Sequence, residues 1–340
     1  MNNIQYPQQI LVAGPAWVGD MVMAQSLFMT LKQRPHQVEI DVLAPAWSNP
    51  ILKRMPEVRD TINLPVSHGE FGLIQRYKLG KLLRPKNYDQ AIITPRSYKA
   101  ALVPFFSKAK QRTGYRGEMR YGVINDIHQL DKNILRQTVQ RYVALGLEDN
   151  SNQIPEIPYP KLRVDENNLQ RLLTKLGLNL DKPVIAFLPG AEYGEAKRWP
   201  VNYYKELANK LIEQGFQLWV LGSKKDNAAA ESIVEENSAI NLCGKIQLED
   251  SIDLLSVCKS AVTNDSGLMH IAAAVDIPLV AIYGSSTPDY TPPLTDKAII
   301  EYLDLECSPC FKRECPLGHM NCLKNITVDE VFKKIKTISE

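Results

Sequence analysis

The chain has 340 residues, of which 44% are hydrophobic and 23% charged, and its formal net charge is +2. This length is typical of about two folded domains, which can bury enough apolar surface to fold without disulfide bonds. The near-neutral charge offers no general attraction to nucleic acid, so we expect no nucleic-acid partner. The N-terminal residues lack the pattern of a signal peptide, and no segment has the length of a membrane span. We therefore expect a cytoplasmic protein in a reducing compartment, since six cysteines are too few for a disulfide scaffold.

Short apolar runs alternate with longer amphipathic ones through the first half of the chain. The pattern predicts strands at 10–13, 38–44 and 90–95 and helices at 20–33 and 78–86. Residues 96–146 are mixed, and we interpret 111–122 as a basic loop. Alternation of strand and helix favours a parallel sheet covered by helices on both faces.

A segment rich in proline and polar residues, 150–166, marks a boundary between two domains. After it the pattern predicts strands at 183–190, 216–222, 240–244, 260–265 and 277–284, and helices at 201–215, 226–237, 248–260, from 267 onwards and at 327–339. The last helix begins with Thr327 or Asp329 as its cap. The fold class is therefore α/β, with two doubly wound Rossmann-like domains that bind ligands at the carboxyl ends of their strands. The predicted division is an N-terminal domain (1–160), a linker with a helix (161–182), a second domain (183–325) and a C-terminal helix (326–340).

The turn after the first strand reads GPAWVGDM, from Gly14 to Met21. Its two glycines have the spacing of a phosphate-binding P-loop, but a P-loop continues with Lys and then Ser or Thr. Asp20 stands there instead and would repel a phosphate. A carboxylate at the start of a helix is stabilised as an anion, and it can act as a general base. The alternative is that Asp20 only caps the helix.

Strand-end loops in the second half carry donors that suit a diphosphate. A lysine in the loop after one strand supplies charge, and the turn and helix that follow another supply N–H and O–H groups. The candidate diphosphate ligands are Lys197, Asp265, Ser266, Gly267 and His270. Weaker candidates for binding the molecule that carries this diphosphate are Gly190, Gly222, Ser223, Asn264 and Ser285. The structural alternatives are a solvated basic loop for Lys197, a plain N-cap for Ser266, a packed core side chain for His270 and an ordinary turn for Ser285.

Basic residues are interleaved with tyrosines between residues 95 and 122, a mixture that suits acidic sugars or phosphates. The candidates for such an acceptor are Arg96, Lys99, Arg116 and Arg120. A solvated basic face is the alternative.

Four cysteines follow the spacing C-x2-C-x4-C-x6-C near the C-terminus, with His319 inside the segment. Cys307, Cys310, Cys315 and Cys322 are candidates for a structural zinc site, because thiolates and imidazole are zinc ligands. Only the first step matches a familiar zinc spacing. The alternative is a set of reduced thiols that pack a C-terminal loop.

Taken in order, these loops resemble the heptosyltransferase family of lipopolysaccharide core assembly, which has the two-domain GT-B fold. Eight segments spread over nearly the whole chain carry the resemblance: GPAWVGDMVMAQSL, DVLAPAWSNPIL, MPEV, SYKAALVPFF, RTGYRGEMRYG, PGAEYGEAKRWP, VTNDSGLMHIAAA and YGSSTPDYTPPL. The resemblance implies two domains that face a central cleft and close on each other during the reaction. Asp20 falls on the family's catalytic base, and Lys197 falls on its diphosphate-binding lysine.

The implied reaction is the inverting transfer of L-glycero-D-manno-heptose from ADP-heptose to the first heptose of the inner core, with release of ADP. No cofactor or metal is implied. The implied acceptor is linked to lipid A, so we expect peripheral contact with the inner membrane. Three alternatives remain: a heptosyltransferase for another core acceptor, a nucleotide-sugar epimerase of the same fold, or a sugar-nucleotide binding protein without activity.

Overall fold

The computed structural model describes residues 6–66, 69–147 and 153–340. It divides into two compact units, the first ending at Pro160 and the second beginning at Lys161. Residues 1–5, where a signal peptide would begin, and residues 150–152 of the expected linker lie outside the described residues. Each unit has its own parallel sheet and its own hydrophobic core.

The first unit is built on a parallel sheet. Its strands are β1 (Gln8–Ala13), β2 (Val38–Ala44), β3 (Val58–Asn63), β4 (Gln90–Ile93), β5 (Gln111–Tyr115) and β6 (Asp126–His128). Its helices are α1 (Val18–Lys32), α2 (Asn49–Leu52), α3 (Leu73–Leu83), α4 (Leu102–Phe106) and α5 (Thr138–Ala144). The strand order is β3-β2-β1-β4-β5-β6, so the direction of winding reverses between β1 and β4. The loops after these two strands therefore lie where doubly wound sheets bind ligands.

The second unit repeats this topology. Its strands are β7 (Val184–Leu188), β8 (Gln217–Val220), β9 (Ile240–Asn241), β10 (Ser260–Asn264), β11 (Leu279–Ile282) and β12 (Ala298–Glu301). Its helices are α6 (Glu166–Leu176), α7 (Val201–Glu213), α8 (Asn227–Val234), α9 (Leu248–Ser256), α10 (Gly267–Ala274), α11 (Asn321–Lys324) and α12 (Val328–Ser339). The order β12-β11-β10-β7-β8-β9 reverses between β7 and β10.

The residue pattern explains these elements. Strand β7 is apolar at every position and wholly buried, because helices cover both faces of a parallel sheet. Helix α7 buries Tyr204, Leu207, Ala208 and Leu211, whose spacing places them on one face of a helix. Among the residues that the structure describes, no helix is long and apolar enough to cross a membrane.

The predicted α/β fold with two doubly wound sheets is confirmed. The interpretation of residues 111–122 as a loop is wrong in its first part, because Gln111–Tyr115 forms β5. Strands β3, β6 and β12 were not predicted either. All three lie at sheet edges, and β3 and β6 carry too few apolar residues for a strand pattern.

Helix α12 begins with a reciprocal pair of hydrogen bonds. Thr327 is the N-cap: its hydroxyl accepts a bond from the backbone N–H of Glu330, and the Glu330 carboxylate accepts one from the N–H of Thr327. This capping box settles the choice left open above, since Asp329 lies inside the helix.

Candidate functional site

The second sheet places two polar loops side by side at its carboxyl edge. Strands β7 and β10 are neighbours, and the winding reverses between them. Lys197 lies in the loop after β7, and Asp265 directly follows β10. Lys197 Nζ lies 2.5 Å from Asp265 Oδ2, and both side chains are largely buried. The fold therefore brings together two predicted donor ligands that are far apart in the sequence.

Asp265 has a second partner, which the sequence analysis missed. The Ser286 hydroxyl donates to the same carboxylate oxygen over 2.5 Å and is itself buried. Such partners are required, since a buried carboxylate without them is strongly unfavourable. The candidate from the sequence is the neighbouring Ser285, whose hydroxyl is buried without a hydrogen-bond partner among the described residues. The Gly-Ser-Ser-Thr segment was the available signal, but sequence alone does not tell which of two adjacent serines faces Asp265.

Helix α10 begins beside this ion pair. Its N-cap, Ser266, has an extended backbone, and its hydroxyl makes no capping bond. Within the described ranges that hydroxyl is also buried without a partner, so a plain capping role does not explain it. The first N–H groups of a helix have no intrahelical partner, and the helix dipole makes this end positive. Lys197, the amides from Gly267 onwards and the Ser266 hydroxyl together suit a diphosphate.

His270 lies in the first turns of α10 and is almost fully buried. Burial lowers its pKa to about 4; Asp265 opposes this shift and Lys197 adds to it. The imidazole is therefore neutral near pH 7. It can act there as a hydrogen-bonding group but not as a cation.

Asn264 is one of the weaker candidates for ligand binding, but its amide oxygen and nitrogen already form hydrogen bonds inside the protein. Its Oδ1 accepts hydrogen bonds from the Trp199 N–H at 3.1 Å and from the Tyr204 hydroxyl at 3.3 Å. Its Nδ2 donates to the Pro189 carbonyl at 2.6 Å. These bonds tie both ends of the loop that carries Lys197 to the end of β10. The geometry makes Asn264 a residue that positions the loop.

Three other weak candidates for ligand binding, Gly190, Gly222 and Ser223, surround Asp226. A Cβ on Gly190 would lie 2.7 Å from Asp226 Oδ2, and one on Gly222 would lie 3.0 Å from Asp226 Cβ. The Ser223 hydroxyl donates to Asp226 Oδ2 at 2.7 Å. Arg198 Nη2 reaches the other carboxylate oxygen at 3.3 Å. The glycines are therefore explained by close packing, and Asp226 and Arg198 are structural residues that the sequence analysis did not select.

Asp20 lies at the corresponding edge of the first sheet, in the turn and helix that follow β1. Helix α1 begins at Val18 with Trp17 as its N-cap, so Asp20 is the third helical residue. The alternative in which Asp20 serves as the N-cap is therefore wrong. Its half-buried carboxylate lies in the first turn, where the helix dipole stabilises a negative charge.

The basic candidates of the first unit differ in exposure. Arg96 and Arg116 are exposed and adjacent, with Arg96 Nη2 3.4 Å from the Arg116 carbonyl oxygen. Lys99 is half-buried. These three residues follow β4 and β5, at the carboxyl edge of the sheet.

Arg120 has a different role from the other three. It is buried, and its guanidinium donates to the carbonyl oxygens of Pro95, Ser97 and Tyr115. Burial, together with nearby Arg96, lowers its pKa to about 10. These bonds hold the loops after β4 and β5 together, so the geometry supports a structural role and gives no support to acceptor contact.

The four clustered cysteines line one small cavity, together with His319. All four are free thiols. Burial raises the pKa of Cys322, and the three neighbouring thiols raise it further. Backbone N–H groups, that of Met320 above all, lower the pKa of Cys315. In the described ranges no group of three or more His, Cys, Asp or Glu residues is arranged to hold a metal ion.

The cysteine loop supports the loop that carries Lys197. The Ala196 N–H donates to the Arg313 carbonyl at 3.0 Å, and the Phe311 N–H donates to the Ser285 carbonyl at 2.7 Å. Gly194 has a φ of 157°, and a Cβ there would lie 2.4 Å from the Arg313 oxygen. Only a residue without a side chain permits this approach.

Comparisons of the sequence and of the structure with known proteins point to the same family over most of the chain. The sequence pattern of Glycosyltransferase family 9 (heptosyltransferase) matches residues 76–321. The chain is 45% identical to lipopolysaccharide heptosyltransferase 2 of Salmonella typhimurium, over 97% of this chain and 98% of that protein. It is 44% identical to the Escherichia coli protein of the same name, over the same shares. The structure of E. coli ADP-heptose lps heptosyltransferase II matches with a TM-score of 0.86 and 42% identity, covering 98% of both chains.

The depressed pKa of His270 predicts a specific pH dependence. An unfolded histidine titrates near about 6.5, whereas His270 in the folded protein titrates at about 4. As the pH falls, the unfolded chain takes up this proton first. The contribution of neutral His270 to the free energy of unfolding is therefore complete above about pH 6.5, and it is lost as the pH falls towards about 4. His270→Asn should lose less stability than wild type over this interval, measured as free energy of unfolding in urea. Parallel pH profiles for the two proteins would contradict the assignment.

The cysteine environments predict an order of alkylation, because the thiolate is the reactive form. Cys315 should react first with iodoacetamide, followed by its three neighbours. Cys243 and Cys258 should react only on unfolding, since burial raises the pKa of Cys243 to about 12 and raises that of Cys258 further. Peptide mass spectrometry gives the order, with Cys315→Ser as the control. Four protected thiols and stoichiometric zinc in the same sample would instead support the zinc alternative.

Proposed function

Because the chain belongs to glycosyltransferase family 9, the heptosyltransferases, we propose that it transfers L-glycero-D-manno-heptose from ADP-heptose to the first heptose of the lipopolysaccharide inner core, with release of ADP. The observation that carries this assignment is similarity over nearly the full length to lipopolysaccharide heptosyltransferase 2 of two organisms. The fold and the polar edges of both sheets are compatible with it. Heptosyl transfer to another core acceptor and sugar-nucleotide epimerisation are less well supported.

The second unit binds the donor in this proposal. Lys197 and the N-terminus of α10 hold the diphosphate, and their positive charge stabilises ADP as it leaves. An ammonium group has three N–H donors, and the hydrogen bond to Asp265 uses one of them. Asp265 and Ser286 therefore orient Lys197 while leaving donors for phosphate oxygens. His270 contributes a neutral hydrogen bond, and no cofactor or metal is required.

Asp20 acts as the general base in the proposed mechanism. It takes the proton from the acceptor hydroxyl as that oxygen attacks the anomeric carbon and the bond to the diphosphate breaks. The transition state has oxocarbenium character, as in glycoside hydrolysis. A single displacement inverts the anomeric centre. Asp20 lies in the first turn of α1, where the helix dipole favours a negatively charged carboxylate.

The acceptor binds to the first unit in this scheme. Arg96, Lys99 and Arg116 are the residues we assign to the acidic sugars and phosphates of the inner core, since they are at least partly exposed at the carboxyl edge of the sheet. The acceptor is anchored by lipid A, so we place the reaction in the cytoplasm, at the surface of the inner membrane.

The first experiment tests which acceptor the protein uses. Purified protein is incubated with ADP-heptose and either Kdo-lipid A without heptose or the same acceptor bearing one heptose. We expect transfer only to the second acceptor, with one ADP released per heptose transferred. Transfer only to the first would keep the family and change the acceptor. Conversion of ADP-heptose without any acceptor would favour an epimerase, and binding without turnover would favour a silent binding protein.

Two substitutions separate the roles of the two units. Asp20→Asn should reduce transfer about 10²–10⁴-fold, the usual contribution of a general base, with little change in ADP affinity. Lys197→Met should weaken ADP binding and also slow transfer, because it removes charge from the leaving group. Calorimetric titration with ADP and a single-turnover transfer assay measure the two effects. Retained transfer by Asp20→Asn would remove Asp20 as the base, and unchanged ADP affinity in Lys197→Met would remove Lys197 from the diphosphate site.

A further inference from the structure

Helix α3 leaves four large apolar side chains exposed, while it buries the charged residue Arg76. Ile74 and Leu82 are 67% and 75% exposed, and Tyr77 is 43% exposed. Arg76, Gly80 and Leu83 lie on the buried side, where Leu83 joins the core of the first unit. At 3.6 residues per turn, the exposed residues occupy one side of the helix. We call this side the α3 face: Leu73, Ile74, Tyr77, Lys78, Lys81 and Leu82.

Specific contacts fix this orientation. Arg76 Nε donates to the Phe71 carbonyl at 2.7 Å, and Nη1 donates to the Lys99 carbonyl at 3.1 Å. A Cβ on Gly80 would lie 2.4 Å from Phe106 Cβ, so α4 packs directly against the backbone of α3. Rotating the helix to bury Ile74 would break both arrangements. The α3 face is therefore held outward by the fold.

The apolar surface continues beyond α3. The ring of Tyr77 packs edge-on against Phe106 at 5.2 Å, and Phe106 packs against Phe105 at 5.4 Å. Phe105 is 39% exposed, and Phe71, just before the helix, is 49% exposed. Single exposed apolar side chains are normal, but a contiguous group of this kind marks an interaction surface.

Both charged residues within the α3 face are basic. Lys78 and Lys81 stand within the α3 face and are exposed. Residues 71–88 contain five basic residues and no Asp or Glu. Lys86, further along, is turned towards Asp41 and Asp60 and is already paired. The two lysines of the face thus combine with large apolar side chains, which is the composition of helices that lie in a membrane interface.

We propose that the α3 face is the surface by which this protein lies on an anionic lipid bilayer. Ile74, Tyr77 and Leu82 enter the headgroup region, and Lys78 and Lys81 extend their aliphatic stems along it and reach lipid phosphates. A second copy of the chain fits less well, since a two-fold contact would bring the same lysines against each other. The inference deepens the proposed function and rests on it only for the membrane-bound acceptor.

The test is co-sedimentation of the full chain with vesicles of phosphatidylcholine, with and without phosphatidylglycerol. Wild type should bind only the anionic vesicles. Lys78→Gln/Lys81→Gln should bind about 30-fold more weakly, as expected for two surface lysines, and Ile74→Ser/Leu82→Ser should bind at least as weakly. The matched control is Ile154→Ser/Leu180→Ser, two exposed apolar positions elsewhere, which should bind like wild type.

All six substituted positions in these three variants are exposed, so we expect folded proteins, checked by circular dichroism. Equal vesicle binding by the three variants and wild type would overturn the proposal, as would absence of binding by wild type. A wild-type dimer that Ile74→Ser/Leu82→Ser dissociates, without vesicle binding, would overturn it in favour of a second copy. Transfer to a delipidated acceptor should be unaffected by either α3 double substitution. If wild type transfers heptose to no acceptor, the proposed function fails, while the vesicle result stands on its own.

Discussion

The end of β10 is the point on which the second unit depends, because two consecutive buried polar residues there must both be satisfied. Asn264 binds the loop after β7 through three hydrogen bonds, and Asp265 binds Lys197 from that loop and Ser286 from the next strand end. Burying a carboxylate or an amide without hydrogen-bond partners lowers the stability of the folded state by roughly several kcal/mol. The loop after β7 therefore closes onto β10 as a condition of folding. The same closure places a lysine ammonium beside a helix N-terminus.

The two units use one topology for two kinds of chemistry. In both, the winding reverses between two central strands, and the loops after them lie where doubly wound sheets bind ligands. In the first unit the helix after β1 carries an acid, Asp20, in its first turn. In the second, the helix after β10 begins with a serine and a glycine beside Lys197. A helix N-terminus stabilises an anion in both cases: a protein carboxylate in one, and in our proposal a ligand phosphate in the other.

The C-terminal loop shows how distant segments support the site. Its backbone bonds to Ala196 and Ser285 lie next to Lys197 and Ser286, and Gly194 allows it to approach. The cysteine pattern drew attention to this loop as a possible zinc site. The structure shows four free thiols around a cavity, and a backbone hydrogen bond between this loop and Ala196 supports the segment that carries Lys197.

Sequence patterns predicted most of the central strands and most helices because buried strands are continuously apolar and helices repeat their apolar residues. They missed the interior strand β5, which is largely polar, and the edge strands β3, β6 and β12, where only one neighbouring strand constrains the composition. They predicted a helix at 78–86, where α3 spans Leu73–Leu83, but they did not indicate which side of it is buried. Its two sides have similar hydropathy, so only packing around Arg76 and Gly80 reveals which side is exposed.

The sequence by itself determined the α/β class, the position of the catalytic candidates at strand ends and the family resemblance. These depend on local periodicity and on short segments whose order along the chain is fixed. Only the tertiary structure decided which polar groups are already engaged. Asn264 looks like a ligand in the sequence, yet its amide oxygen and nitrogen are engaged by groups far along the chain. Arg120 looks like one too, yet it is buried and donates through Nη1 and Nη2 to the carbonyl oxygens of Pro95 and Tyr115. Ser286, and not Ser285, meets Asp265 for the same reason. Hydrogen-bond partners are set by long-range packing, which no local pattern records.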